Sequence, residues 1–566
     1  MAIRPRWMTA ALLALATAVT LFGQVGTYDV LIRGAKIVDG TGNPWFTGDV
    51  GIKDGQIAAV GHLDNARGTR VIDAKGLVAA PGFIDLHTHS DYTLLADGNA
   101  ESKVRQGVTL DVIGEGVSVA PRDGMKPEKL DPNDPQKLGV TVDWTTFTGY
   151  FERIMRQGIS INVASYAGDQ QIRHAAMGYE TAPATPAQME LMKKLMGRSM
   201  EEGAFGLATA FPSGGPPYPD EIVELAKVVR SYGGIYSSHM GSEGAQEEKE
   251  LAFVKRVAKE ADIRVQIFHF YVKGADNLSM MPRYIAEVED ARAEGLDVVA
   301  NQYPYTAMHH GWSAFFPTWA TAGGPDKFAQ RLQDPAVQQK IKHDADFITW
   351  SKEHGGWDGI VMATAAKPEN KKYLGMRVSA IAKLRGDADP ADTCLALMAD
   401  EGGRIQGIFH NQSEENVRMV MRLPWVGVGS DGAVLNLKNS DFAHPRSFAS
   451  NVRILGYYVR DQHVLTLEDA VRKMTSLPAQ IMGIADRGQI HEGFAADVVL
   501  FDPNQVGETN SYEKPNSYAK GVPYVLVNGV VVIDNGRHTG ARPGRVIYGP
   551  GYKRELKSQA KASAAN

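Results

Sequence analysis

Two patterns of apolar and polar positions divide this chain. Near the start, Tyr28–Asp39 and Gly48–Val60 alternate apolar and polar residues between glycine-rich turns, the period of short antiparallel strands. The same alternation returns near the far end in Ala496–Phe501 and Tyr524–Val532, followed by a turn at Asp534–Arg537. The two ends are therefore expected to fold together as one small β domain. Between them, short Val/Ile-rich runs alternate with amphipathic stretches, as in a (β/α)8 barrel with insertions. The strands expected are Gly82–Asp85, Thr109–Ile113, Asn162–Ala167, Gly206–Ala208, Ile235–Ser237, Val265–Phe268, Val298–Ala300 and Val426–Gly429. Helices are expected over Pro186–Glu202, Asp220–Tyr232 and Leu467–Met474. Pro121–Leu138, rich in Pro, Asp and Lys, reads as a surface insertion over the barrel mouth.

A length of 566 residues exceeds one compact core and suits a large catalytic unit with a smaller companion. Arg4 and Arg6 precede the apolar run Met8–Phe22, so residues 1–24 read as a signal peptide, with an uncleaved anchor as the alternative. The boundaries that follow are 25–80 and 483–548 for the β domain, 81–482 for the barrel and 549–566 for a polar, frayed tail. A formal charge of -5 with no dense Lys/Arg run argues against a nucleic-acid partner. No stretch after the leader is apolar enough to cross a membrane, so no stable membrane partner is expected, and homo-oligomerisation stays open. The single cysteine, Cys394, has no disulfide partner and reads as a small buried hydrophobe.

The chemistry gathers at strand ends. In Pro81-Gly-Phe-Ile-Asp-Leu-His87-Thr-His89 an apolar run ends in two histidines one residue apart, and alternate side chains of an extended chain point the same way, so both imidazoles can reach one ion. His239 and His269 close two further runs, Ile235-Tyr-Ser-Ser-His239 and Val265-Gln-Ile-Phe-His269. Strand ends converge at the carboxyl face of a barrel, where four histidines supply two metal positions. Trp425-Val-Gly-Val-Gly-Ser-Asp431-Gly432 ends an eighth run with a carboxylate, which can bind metal and take a proton from an ion-bound water.

PGFIDLHTH, SSHM, the GSDG at 429–432 and Gly493–Pro503 together resemble the amidohydrolase superfamily. Gly203–Thr209, Tyr303–Ala307, His444-Pro-Arg446 and Ala470–Ala479 are similar to its N-acyl-D-amino-acid deacylase (D-aminoacylase) branch. The resemblance implies an α/β fold: a metal-dependent TIM barrel joined to a β-sandwich made from both chain ends. It places His87 and His89 at one metal position and His239 and His269 at the other, with zinc, as one or two ions, ahead of manganese or cobalt. Where the family has a cysteine after GVT this chain has Glu115, a carboxylate that can bridge two cations through separate oxygens. Where the family has a lysine two residues past the histidine matched by His269, this chain has Tyr271, and Gly241 replaces an arginine after HM. Tyr305, Arg446, Tyr271 and Lys273 are the candidate substrate contacts, and His309-His310 candidate lining. The expected reaction is amide hydrolysis of small N-acyl amino acids, N-acyl-D-amino acids above all, or dipeptides, by a metal-bound hydroxide with Asp431 as base. The alternatives are a hydrolase of cyclic amides or lactones on the same barrel and a catalytically silent ligand-binding protein.

Overall fold

The computed structural model describes residues 27–124, 128–129, 139–178, 180, 182–211, 215–438 and 440–553. The leader, most of the insertion expected at Pro121–Leu138 and the tail beyond Lys553 lie outside the described residues. Among the described residues no helix is long and apolar enough to cross a membrane.

Eight parallel strands form the barrel: β1 (Phe83–Asp85), β2 (Val108–Ile113), β3 (Asn162–Ser165, resuming at Ala167–Gly168), β4 (Gly206–Ala210), β5 (Ile235–His239), β6 (Val265–Ile267), β7 (Val298–Gln302) and β8 (Val426–Val428). The ring closes between β8 and β1, where the Leu86 amide donates to the Val428 carbonyl at 3.2 Å. These runs are nearly all buried because helices cover one face and the barrel core the other. At Gly206 a Cβ would fall 1.8 Å from the Ile235 carbonyl oxygen, so β4 and β5 pair this closely only with glycine there. Pro186–Glu201, Pro219–Ser231 and Leu467–Met474 are helical as expected. The first begins in a reciprocal Thr185/Gln188 capping box with proline at its start.

Both chain ends do meet in one β domain, whose seam is the antiparallel pairing of Val78–Pro81 with Val498–Phe501. Its nine strands are hydrogen-bonded into a single continuous sheet rather than two separate ones, because Thr27–Ile37 is long enough to pair with three neighbours. Its own core includes Ile32, Ile52, Val498 and Leu526. The far end departs from expectation. Val546 bridges to Val163, Gly549 donates to the Gly203 carbonyl and Lys553 to that of Glu201, each of the last two at 2.9 Å. Residues 549–553 are thus docked against the barrel instead of frayed, held also by Tyr548 stacking on Tyr552 at 3.9 Å.

Between β7 and β8 the chain builds a unit that the sequence pattern did not separate from the barrel. Ala307–Gly311, Gln406–His410 and Ile360–Met362 form an antiparallel sheet around a distinct core with Trp312, Phe315, Phe347 and the buried Cys394. Its short apolar runs alternate with helices just as the barrel's do, so periodicity alone does not mark its edges.

Barrel and β domain are tied by a buried polar knot. The Asp497 carboxylate accepts from Asn162 Nδ2 at 2.9 Å and from the Asn528 amide at 2.6 Å, and pairs with Arg487. The Gly82 amide donates to the Asp497 carbonyl at 2.8 Å, just ahead of β1. Asp497→Ala strands the Arg487 charge and should cost about 3–5 kcal/mol. Chemical denaturation checks this, and a loss under about 1 kcal/mol would show the knot to be dispensable.

Candidate metal centre

The five residues expected at strand ends, and Glu115 from the family resemblance, all reach one face. His87 and His89 follow β1, Glu115 follows β2, His239 ends β5, His269 lies two residues past β6 and Asp431 three past β8. The β1 and β8 loops are zipped together: the Asp431 amide donates to the His87 carbonyl at 2.8 Å, and the His89 amide to that of Gly432 at 2.9 Å. Beneath them the fully buried Lys103 ammonium donates to Asp85 Oδ2 at 2.8 Å and to Ser430 Oγ at 2.7 Å. Asp85 Oδ1 in turn accepts the Ser430 amide at 2.7 Å. A Cβ at Gly429 would sit 2.8 Å from the Asn301 side chain and 2.9 Å from His87 Cβ, so glycine is what lets these loops close. The His87 ring stacks on Phe268 at 4.1 Å.

The donor atoms fall into two groups that share Glu115: His87, His89, Glu115 and Asp431, and Glu115, His239 and His269, with all ligand atoms of a group within 4.8 Å of one another. Glu115 Oε2 is 2.5 Å from His87 Nε2 and 3.4 Å from His89 Nε2, while Oε1 is 3.7 Å from His239 Nδ1. His89 Nε2 is 2.9 Å from Asp431 Oδ1, and His239 Nδ1 is 2.9 Å from His269 Nε2. Four imidazoles and two carboxylates turned inward are a nitrogen and oxygen donor set suited to zinc, manganese or cobalt. The residues therefore fit one or two divalent cations, with Glu115 able to give one oxygen to each.

Electrostatics follow from burial among opposite charges. Burial opposes charge on both carboxylates, yet His87 holds Glu115, and Arg446 with His89 holds Asp431, well below the usual carboxylate range. Arg446 Nη1 is 2.7 Å from Asp431 Oδ2, and the guanidinium lies over the Tyr303 ring at 5.1 Å. Burial pushes His87 and His239 down, toward the neutral form that ligates a metal.

Two cavities open from this centre, sharing His89, Asp431, His309, His310 and Ser313. One, of about 390 Å³, is lined by Glu115, Tyr271 and Lys273 and by the apolar Phe211, Met308, Phe316 and Trp350. The other, of about 400 Å³, is lined by Arg446, Thr364, Gln406 and Asp441 and by the apolar Ala363, Leu435 and Phe442. Burial holds His309 and His310 down to about 3, so both present neutral rings. Of the candidate substrate contacts, Arg446, Tyr271 and Lys273 line these cavities and Tyr305 does not. Its hydroxyl is 3.5 Å from Glu508 Oε2 and its ring is packed beneath Arg453 among His444 and Tyr512, a correction to the sequence expectation. Two participants escaped sequence reading: Glu243, four residues past His239 on a loop without periodicity, and Lys103, which nothing distinguishes from a surface lysine until its burial is seen.

Residues 70–315 and 377–533 match the sequence profile of the amidohydrolase family. The D-aminoacylase of Alcaligenes xylosoxydans xylosoxydans is 30% identical over 523 residues, 92% of this chain and 97% of that one. The N-acyl-D-glutamate deacylase of the same organism is 32% identical over 525 residues, 92% and 96% of the two chains. Among solved structures, a D-aminoacylase studied for its binuclear metal centre superposes with a TM-score of 0.77 at 30% identity, covering 92% of this chain and 99% of that one. The N-acyl-D-glutamate deacylase of Bordetella bronchiseptica, complexed with zinc and a phosphonate mimic of the tetrahedral intermediate, gives 0.76 at 28% identity, covering 92% and 100%. The D-hydantoinase fold is matched at 0.52 and 16% identity, a likeness of fold alone. With a family profile over more than half its length and relatives of this identity along nearly all of it, the chain belongs to the amidohydrolase family.

Proposed function

We propose that this chain is a metal-dependent hydrolase that cleaves the amide bond of N-acyl-D-amino acids. The observation that carries the reading is the convergence of His87, His89, Glu115, His239, His269 and Asp431 at the barrel mouth in two groups joined by one carboxylate. D-aminoacylase and N-acyl-D-glutamate deacylase relatives along nearly the whole chain support the substrate class. A divalent cation bound there, zinc by preference, lowers the pKa of a coordinated water and polarises a carbonyl oxygen.

The chain's own residues do the rest. Asp431 sits at the junction of the two cavities, so an amide placed across that junction presents its carbonyl carbon and its nitrogen to the same carboxylate. Arg446 keeps that carboxylate ionised across the neutral range and ready to accept a proton from the attacking water, which it then passes to the departing nitrogen. The neutral rings of His309 and His310 lie along both cavities and add no charge that would compete for the substrate. Arg446 is also the cation that borders the cavity of Thr364 and Gln406, where a substrate carboxylate can meet it. In the cavity of Phe211 and Trp350 the cation is Lys273, 3.5 Å from Glu243 and only 4% exposed, so an acidic substrate side chain finds its charge already matched. The leader-like residues 1–24 make export part of the same proposal, and a mature protein recovered without them checks it.

Chelation should abolish turnover and added zinc restore it, while Asp431→Asn should keep its metal and lose about 10²–10⁴-fold in kcat. Full amidase activity in that variant removes Asp431 as the base. N-acetyl-D-leucine should be cleaved with a kcat/KM at least about tenfold above that for N-acetyl-D-glutamate, since the acidic side chain is left without a free partner. Steady-state assays of the two side by side decide it, and a preference for the glutamate derivative contradicts the reading of Lys273.

A further inference from the structure

Resting on the metal reading above, we propose that Glu243 is the positioning residue that sets the orientation of His269, and that Tyr271 and Lys273 serve Glu243 rather than the substrate. His269 uses its two ring nitrogens in opposite directions. Nε2 faces His239 Nδ1 at 2.9 Å, inside the donor group, and Nδ1 faces Glu243 Oε1 at 2.9 Å, outside it. A ligating histidine whose second nitrogen meets a carboxylate has its tautomer and ring plane fixed and its basicity raised. The Nδ1 contact is short but bent, and neither atom has another hydrogen-bond partner, so a modest turn of the ring completes the bond.

The other oxygen of Glu243 is spoken for. Oε2 accepts the Tyr271 hydroxyl at 2.8 Å and faces the Lys273 ammonium at 3.5 Å, which leaves Oε1 for the histidine. All three side chains are buried. Tyr271 stands where the family resemblance led to the expectation of a lysine, and its hydroxyl is directed at Glu243. The backbone holds the carboxylate still as well. The Lys273 amide donates to the Glu243 carbonyl at 2.6 Å, and both oxygens of Glu250 accept the Ser242 amide, at 2.9 and 3.0 Å. Glu243 itself has φ of +47°, a conformation that is strained for a non-glycine residue and persists where the surroundings enforce it. His269 at +34° and Asp431 at +52° share that left-handed region, so three such residues gather at one centre.

A plain ion pair between Glu243 and Lys273 would account for the burial of both, but not for Tyr271 and His269 converging on the same carboxylate. The readouts that separate the two are zinc affinity, measured by competition with a chromophoric chelator, and the visible spectrum of the cobalt-substituted protein. Glu243→Gln should weaken zinc binding about 10–100-fold and shift the cobalt bands, in the wild-type background and in Lys273→Met alike. Tyr271→Phe should move both in the same direction by less. Zinc affinity and cobalt spectrum unchanged in Glu243→Gln, with only the unfolding midpoint lowered, would overturn the inference in favour of a structural pair. Should Glu243→Gln fail to fold, Tyr271→Phe decides by the same two readouts. A wild-type protein that holds zinc nowhere overturns the metal reading and this inference with it.

Discussion

Packing two ionised carboxylates among four imidazoles inside a barrel mouth is an arrangement that water alone would not favour. Each carboxylate surrenders hydration that costs several kcal/mol to replace, and ring nitrogens are brought within hydrogen-bond distance of one another. The sharing of Glu115 between the two donor groups makes the cost explicable, because one or two divalent cations would satisfy the inward-facing lone pairs and the negative charge together. Much of the surrounding structure maintains that convergence. The Lys103–Asp85–Ser430 link under β1 and β8, the stacking of His87 on Phe268 and the Glu243 contact behind His269 each fix a ligand from the side away from the centre.

The architecture divides the labour. The barrel sets the distances between strand ends, the β domain clamps the start of β1 through Asp497, and the unit between β7 and β8 supplies the cavity walls. His309, His310, Ser313, Phe316 and Trp350 all come from that unit, so the shape of the substrate site can vary without disturbing the ligands. The cationic neighbours of the two acidic residues act in parallel: Arg446 holds Asp431 and Lys273 accompanies Glu243. With Lys273 so engaged, selection among substrate side chains falls to shape and to the lining of Phe211, Met308, Phe316 and Trp350.

Much of this could be read from residue order, and the reasons are particular. All eight barrel strands are visible because each is a short buried run between glycine or polar residues, and four of them, β1, β5, β6 and β8, end in or lead within a few residues to a ligand histidine or aspartate. Glu115 was found only because a family cysteine was expected there; by itself it is one loop acid among many. Glu243 gives no signal, since a loop residue acquires its role from His269, twenty-six positions away. Tyr305 was misjudged for the converse reason: its motif marks its position in the chain but not its rotamer, and Glu508, two hundred residues on, takes its hydroxyl. The docked end at 549–553 was hidden by composition, because small and polar residues read as loose until Tyr548 and Tyr552 are seen stacked.

The six residues at the barrel mouth are expected to hold metal. Diffraction from crystals of the protein as purified, recorded on both sides of the zinc absorption edge, tests it directly. One or two anomalous peaks are expected, each about 2.0–2.2 Å from nitrogen and oxygen atoms of these residues, with Glu115 touching every peak present. Fully active protein whose map carries no peak within reach of His87, His89, His239 or His269 would contradict it.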